Sequence, residues 1–205
     1  MLRETLEKYL PSEAVDTIRD WIIQYQVKIK ITRDRFTKLG DYRSPHNGQG
    51  HRITINYNLN KYAFLITLVH EIAHLKTFQK NKTAILPHGS EWKREFRLLM
   101  FPFLNEYIFP QDVLAAVNNY IQDPAATSCT DLHLQKALKK YDTVKNDFIH
   151  LEDIPDNSVF SLQNGRKFQK GEKLRKRYKC IDLDNKRIYL VNHLAEVIIK
   201  DTSEN

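Results

Sequence analysis

The stretch LITLVHEIAHL, residues 65–75, decides how this chain is read. It is apolar almost throughout, yet it carries His70, Glu71 and His74. Polar and charged groups are costly to bury without partners. Nothing between about Asn58 or Asn60 and Lys80 breaks a helix, so one long helix is predicted there. On it, residues four apart share a side, which brings His70 and His74 together, with Glu71 about 100° around. Leu65, Leu68, Ile72 and Leu75 fall on the side opposite the histidines, and Ala63, Ile66 and Thr67 flank the histidine side. A helix apolar on both sides is wrapped by protein.

A cation resolves the conflict. His-Glu-x-x-His spacing presents two imidazole ligands to one metal ion and places a carboxylate beside them, able to take a proton from water at that ion. A third donor has several candidates. Thr77 and Lys80 stand where the metzincin pattern needs Gly and a third His, which excludes that pattern. Glu91 and Glu95 lie on the next predicted helix, and His88 lies in the loop before it, in Leu86-Pro87-His88-Gly89-Ser90-Glu91-Trp92. Spacing ranks His88 first and Glu91 second.

Upstream, two helical pieces, Leu2 to Leu10 and Ser12 to Gln24, are separated by Pro11. Val27 to Thr32, Leu39 to Arg43 and Arg52 to Tyr57 read as three short strands, with a Pro/Asn/Gly-rich turn before the third. They form a small sheet in front of the long helix. Downstream, helices are predicted over Glu91 to Tyr107, Gln111 to Ile121 and Asp131 to Tyr141. After a turn-rich boundary at Asp153 to Ser158 come four strands, at 159–162, 166–168, 174–183 and 187–191. The fold class is therefore α+β: residues 1–152 form a small sheet packed on helices, and 158–200 form a small, basic, β-rich C-terminal module.

The chain has 205 residues, of which 41% are hydrophobic and 28% charged, enough for a core under a charged surface. Its start, MLRETLEKYL, lacks a signal-peptide or spanning pattern, so a cytoplasmic location and no membrane partner are expected. Cys129 and Cys180, far apart and in no paired motif, give neither a disulfide framework nor a cysteine metal site and read as buried free thiols. The net charge of +7 resides in residues 163–190, where ten Lys/Arg stand against three acids. Leu174 to Lys179, if extended, sets Arg175, Arg177 and Lys179 on one face, with Tyr178 and Phe168 nearby for stacking. That arrangement suits DNA or another polyanion.

His70-Glu71-Ile72-Ala73-His74, followed after a short loop by His88-Gly89-Ser90-Glu91-Trp92, resembles the SprT family of zinc peptidases, which includes the Spartan DNA-protein crosslink proteases. Leu39-Gly40 and Ile53-Thr54-Ile55 also fit its strand segments, and the resemblance covers about residues 25–105. It implies a minimal zincin-like metallopeptidase domain in which His70, His74 and His88 ligate Zn2+ and Glu71 is the general base, acting on protein or peptide. Many members end in a zinc ribbon with paired Cys-x-x-Cys motifs; this chain has none, so no second zinc is expected. The strand from Ile53 to Tyr57 is expected to pair with extended substrate, and Tyr42, Arg43, His51 and Tyr57 are the candidates for stabilising the oxyanion. His46, His51, His133, His150 and His193 read as surface or loop residues, His51 being the one with a functional lean. The competing function class is a nucleic-acid-binding protein with a structural or vestigial zinc site.

Overall fold

In the computed structural model, which describes residues 2–33, 35, 38–81, 86–124, 131–142, 149–162 and 164–199, the chain forms two units, Met1–Thr143 and Val144–Asn205. The first begins with α1 (Leu2–Glu7), a 3-10 turn (Ser12–Ala14) and α2 (Val15–Gln24). Pro11, just ahead of that turn, separates the two helices because its ring cannot continue one. Three strands follow, β1 (Lys28–Thr32), β2 (Gly40–Arg43) and β3 (Arg52–Asn56). Ile53 and Ile55 of β3 are fully buried, as period-two alternation requires.

The strand order is β1-β3-β2, with β1 parallel and β2 antiparallel to β3. This corrects the expectation that residues 53–57 pair with substrate. β3 is the central strand and has both edges occupied, so among the described residues the free edges belong to β1 and β2. Alternation along a strand tells which face is buried; it does not tell which strand lies outermost.

The long helix is α3 (Lys61–Asn81). Asn60 caps it, its side-chain oxygen accepting from the amides of Tyr62 at 3.1 Å and Ala63 at 3.0 Å. The Asn60 amide group donates to the Leu138 carbonyl at 2.9 Å, which fastens the start of α3 to a later helix. Phe64, Leu65, Leu68, Val69, Ile72 and Leu75 are fully buried. Each contributes about 1.5–3 kcal/mol, which lets one helix carry buried titratable groups as well.

α4 (Ser90–Met100) ends earlier than the predicted Tyr107 and passes into a 3-10 turn, Phe101–Phe103. Pro102 is the reason, since it lacks the amide hydrogen that the next helical turn needs. α5 (Gln111–Tyr120) and α6 (Leu132–Lys139) complete the unit. Residues 82–85 of the expected ligand loop, and Cys129, lie outside the described residues. No described helix is long and apolar enough to cross a membrane.

The second unit is an antiparallel sheet ordered β4-β9-β5-β6-β7-β8. Its strands are β4 (Ile149–His150), β5 (Val159–Leu162), β6 (Lys167–Leu174), β7 (Arg177–Asp182), β8 (Ile188–Asn192) and β9 (Glu196–Ile199). β4 and β9 escape the sequence pattern, and residues 149–152, expected in the first unit, belong to this one, where Ile149 and His150 pair with β9. The core holds Leu151, Phe160, Phe168, Tyr178, Cys180 and Val197.

The sheet corrects the expected basic stripe. Arg175 is not extended: it has φ 48° and lies between β6 and β7 in the connecting turn. Arg177 and Lys179 do share the outer face of β7, but the Lys179 ammonium is paired with Glu172. Tyr178 and Phe168 point into the core, so neither ring can stack on a base. Buried Lys170 donates to the Ile154 carbonyl at 2.7 Å and lies 4.3 Å from the Tyr178 ring centroid, a structural role.

Candidate metal centre

One turn of helix separates His70 from His74, and the loop before α4 returns the third imidazole. His88 has φ 64°, a left-handed conformation uncommon outside glycine but enriched in histidine and asparagine. That backbone bend sends its ring back over α3. His88 Nε2 lies 3.1 Å from His70 Nε2 and 2.9 Å from His74 Nε2. His70, His74 and His88 are the residues placed to hold a metal ion among those described.

Trp92 closes one side. Its ring centroid is 4.5 Å from that of His70, 5.3 Å from His74 and 4.7 Å from His88, and its indole N–H points to the His70 carbonyl at 3.4 Å. Burial, followed by the two neighbouring rings, pushes the His70 pKa down to about 2; burial and His88 take His74 down to about 4. His88 is lowered by burial. Three imidazoles kept neutral, with their Nε2 atoms converging, form a poor hydrogen-bonding set but a good donor set for zinc. The residues therefore fit the metal.

Glu71 lies on the same helix, beneath β2. Burial raises its pKa to about 8, and Asp41 adds to the rise; a hydrogen bond from the Tyr42 amide, with Lys38 and Arg35, opposes it. Gly40 makes this approach possible. A Cβ at that position would stand 2.6 Å from Glu71 Oε1 and 2.9 Å from Thr67 Cγ2. Asn56 steadies the segment leading into β2, donating to the carbonyls of Arg35 and Lys38 at 3.2 Å each.

The other candidate ligands lie elsewhere. Glu91 is exposed and accepts from the Ser90 hydroxyl at 3.0 Å. Glu95 is buried but paired with Lys80. Of the candidate oxyanion donors, Tyr42 and His51 bond each other, hydroxyl to Nδ1, at 2.9 Å. Arg43 pairs with Asp41 at 3.0 Å, and Tyr57 is exposed just past β3. His150, expected at the surface, is buried with Nδ1 3.1 Å from the Leu194 carbonyl, and His193 meets Glu152 at 2.9 Å. Trp92 is legible as the last residue of the His88-Gly89-Ser90-Glu91-Trp92 motif, whereas the close approach of Gly40 to Glu71 has no linear signal, because it arises only when β2 packs on α3.

These shifts give the metal-free protein a pH signature. The unfolded chain protonates His70 and His74 near 6.5 and the folded chain does not until about 2 and about 4, so acidification below 6.5 destabilises. Glu71 works the other way, protonated in the folded chain up to about 8 and in the unfolded chain only to 4.5. Two histidines outweigh one glutamate below 6.5, and Glu71 alone acts above it. Stability in the presence of chelator is expected to peak near pH 6.5, falling by about 1.4 kcal/mol per pH unit toward base and at least as steeply toward acid, where the lowered His88 adds to His70 and His74. A melting temperature that stays flat from pH 5 to 8 contradicts this burial.

Residues 12–107 match the model of the SprT-like family, a segment that contains His70, Glu71, His74 and His88. No curated protein and no solved structure matches the chain at a significant level.

Proposed function

From a chain whose residues 12–107 are SprT-like, a family associated with metallopeptidase activity, we propose that this protein is a zinc-dependent endopeptidase whose first unit works as a minimal zincin-like domain. The observation that carries the proposal is the meeting of three imidazoles, His88 Nε2 lying 3.1 Å from His70 Nε2 and 2.9 Å from His74 Nε2, beside the buried Glu71 carboxyl on the helix that carries His70 and His74.

His70, His74 and His88 would hold the ion. Zinc, when bound, supplies a Lewis acid that lowers the pKa of water at the site toward about 7 and polarises a peptide carbonyl. The chain's own part is proton handling. Glu71, steadied by the Tyr42 amide, takes a proton from the attacking water and returns it to the departing amine nitrogen. β2 is the free edge that runs over Glu71, so an extended, unfolded substrate segment would pair there by strand addition.

The competing reading, a nucleic-acid-binding protein with a structural zinc site, gives Glu71 no task beside the ligands. DNA fits better as a partner of the peptidase. We propose phosphate contacts from the exposed Arg175 and Arg177, without base stacking.

The test is metal analysis together with hydrolysis of an unfolded protein such as casein, with and without chelator and single-stranded DNA. The expected result is about one zinc per chain, with hydrolysis stopped by chelator and restored by zinc. Retention on single-stranded DNA should weaken steeply with salt. Absence of zinc at saturating metal defeats the enzymatic reading, whereas absence of DNA retention at low salt removes only the partner.

A further inference from the structure

Thr67, Glu71, His74 and Phe78 follow one another at spacings of four, three and four residues, so they form one stripe along α3. The stripe runs under β2. Gly40 sits over Thr67 and Glu71, and Tyr42 sits near Phe78, with ring centroids 6.5 Å apart. Exposure rises along it, from 4% at Thr67 and 7% at Glu71 to 39% at Phe78. The stripe thus leaves the buried centre and emerges at the surface as an aromatic ring.

That ring has company. His51 lies 6.0 Å from Phe78 and is stacked on Tyr42 at 5.9 Å. The Tyr42 hydroxyl and His51 Nδ1 satisfy each other at 2.9 Å, which leaves mainly ring faces and edges to meet a partner. The result is an apolar surface one helical turn beyond His74 and next to the free edge of β2.

We infer that Tyr42, His51 and Phe78 form a subsite for a large apolar side chain of an extended peptide, so that the protein selects unfolded segments carrying an aromatic or bulky aliphatic residue near the scissile bond. This rests on the peptidase reading, whose substrate it specifies. A strand laid along β2 sends alternate side chains toward α3, and Phe78 is the exposed residue on the stripe that meets them. An exposed apolar patch continuous with a proposed reaction centre is a specificity surface rather than an isolated surface hydrophobe. Segments of this kind are exposed when a protein unfolds, because bulky apolar residues are otherwise buried.

Binding is measured with zinc-loaded Glu71→Gln, which can hold a peptide without cleaving it. The probes are fluorescein-labelled ten-residue peptides, identical but for Phe, Leu or Gly at the centre, read by fluorescence anisotropy. The Phe and Leu peptides are expected to bind about tenfold or more tighter than the Gly peptide, from burial of one apolar side chain. Adding Phe78→Ala should collapse that ratio toward one with zinc content unchanged, and Phe78→Leu should restore part of it. Equal binding of the three peptides overturns the subsite, as does a preference that Phe78→Ala leaves intact. If the wild-type protein nevertheless hydrolyses casein, only the subsite has failed; if nothing binds and nothing is cleaved, the peptidase reading fails with it.

Discussion

Replacing Glu71 with glutamine is expected to leave zinc bound and to lower hydrolysis of an unfolded protein between about 10²- and 10⁴-fold, the usual worth of a positioned proton acceptor. The two side chains have nearly the same shape, and glutamine can still accept a hydrogen bond from the Tyr42 amide. What it cannot do is take a proton. Burial raises the Glu71 carboxyl to about 8 in the absence of metal; a divalent cation at the neighbouring imidazoles pulls it back down by favouring the charged form. The acid limb of the wild-type rate profile should therefore be missing from the residual activity of Glu71→Gln. Gly40→Ala approaches the same group from the other side, since its methyl would stand 2.6 Å from Glu71 Oε1. It should reduce turnover with zinc still present. Zinc analysis by mass spectrometry and initial rates decide the matter: unimpaired hydrolysis by Glu71→Gln would falsify its role as the base.

His88→Asn is expected to cost the metal. Asparagine tolerates the left-handed backbone that His88 adopts at φ 64°, so the loop can keep its bend while the imidazole is removed. Loss of a residue that merely supports a ligand costs about 10–100-fold in metal affinity, and loss of a ligand should cost more. Zinc content should fall well below one per chain after dialysis, and hydrolysis with it. The metal-free melting temperature should change little, because His88 is only partly buried. Glu91→Gln serves as the control and should retain zinc, as its carboxylate faces solvent beside Ser90. Full zinc retention by His88→Asn, measured by competition with a chromophoric chelator, would mean that some other donor completes the site.

Much of this site is written in short-range order. His70, Glu71 and His74 are legible because helical period is a local property: once the segment is helical, their angular relation follows without knowledge of anything else. His88-Gly89 just before the next helix is legible in the same short-range way, and so is the concentration of positive charge in residues 163–190. Alternation in Val27 to Thr32 and Arg52 to Tyr57 correctly announces strands and their buried faces. It is silent on neighbours. That β2 rather than β3 is the edge beside the reactive carboxylate depends on β1 pairing parallel to β3 across twenty or more residues. β4 and β9, two and four residues long, find each other across more than forty positions. Gly40 shows the same division: in the sequence it is a glycine at the start of a strand, and in the folded chain it is the gap that admits Glu71. The reversal at Arg175 has no glycine or asparagine at its positive-φ position to announce it, because strand pairing on either side imposes the turn. Local backbone preference therefore determined what chemistry the long helix could present. Non-local packing alone determined what would lie over it, because strand order and helix-to-strand approach are set by contacts between residues that the chain brings together only on folding.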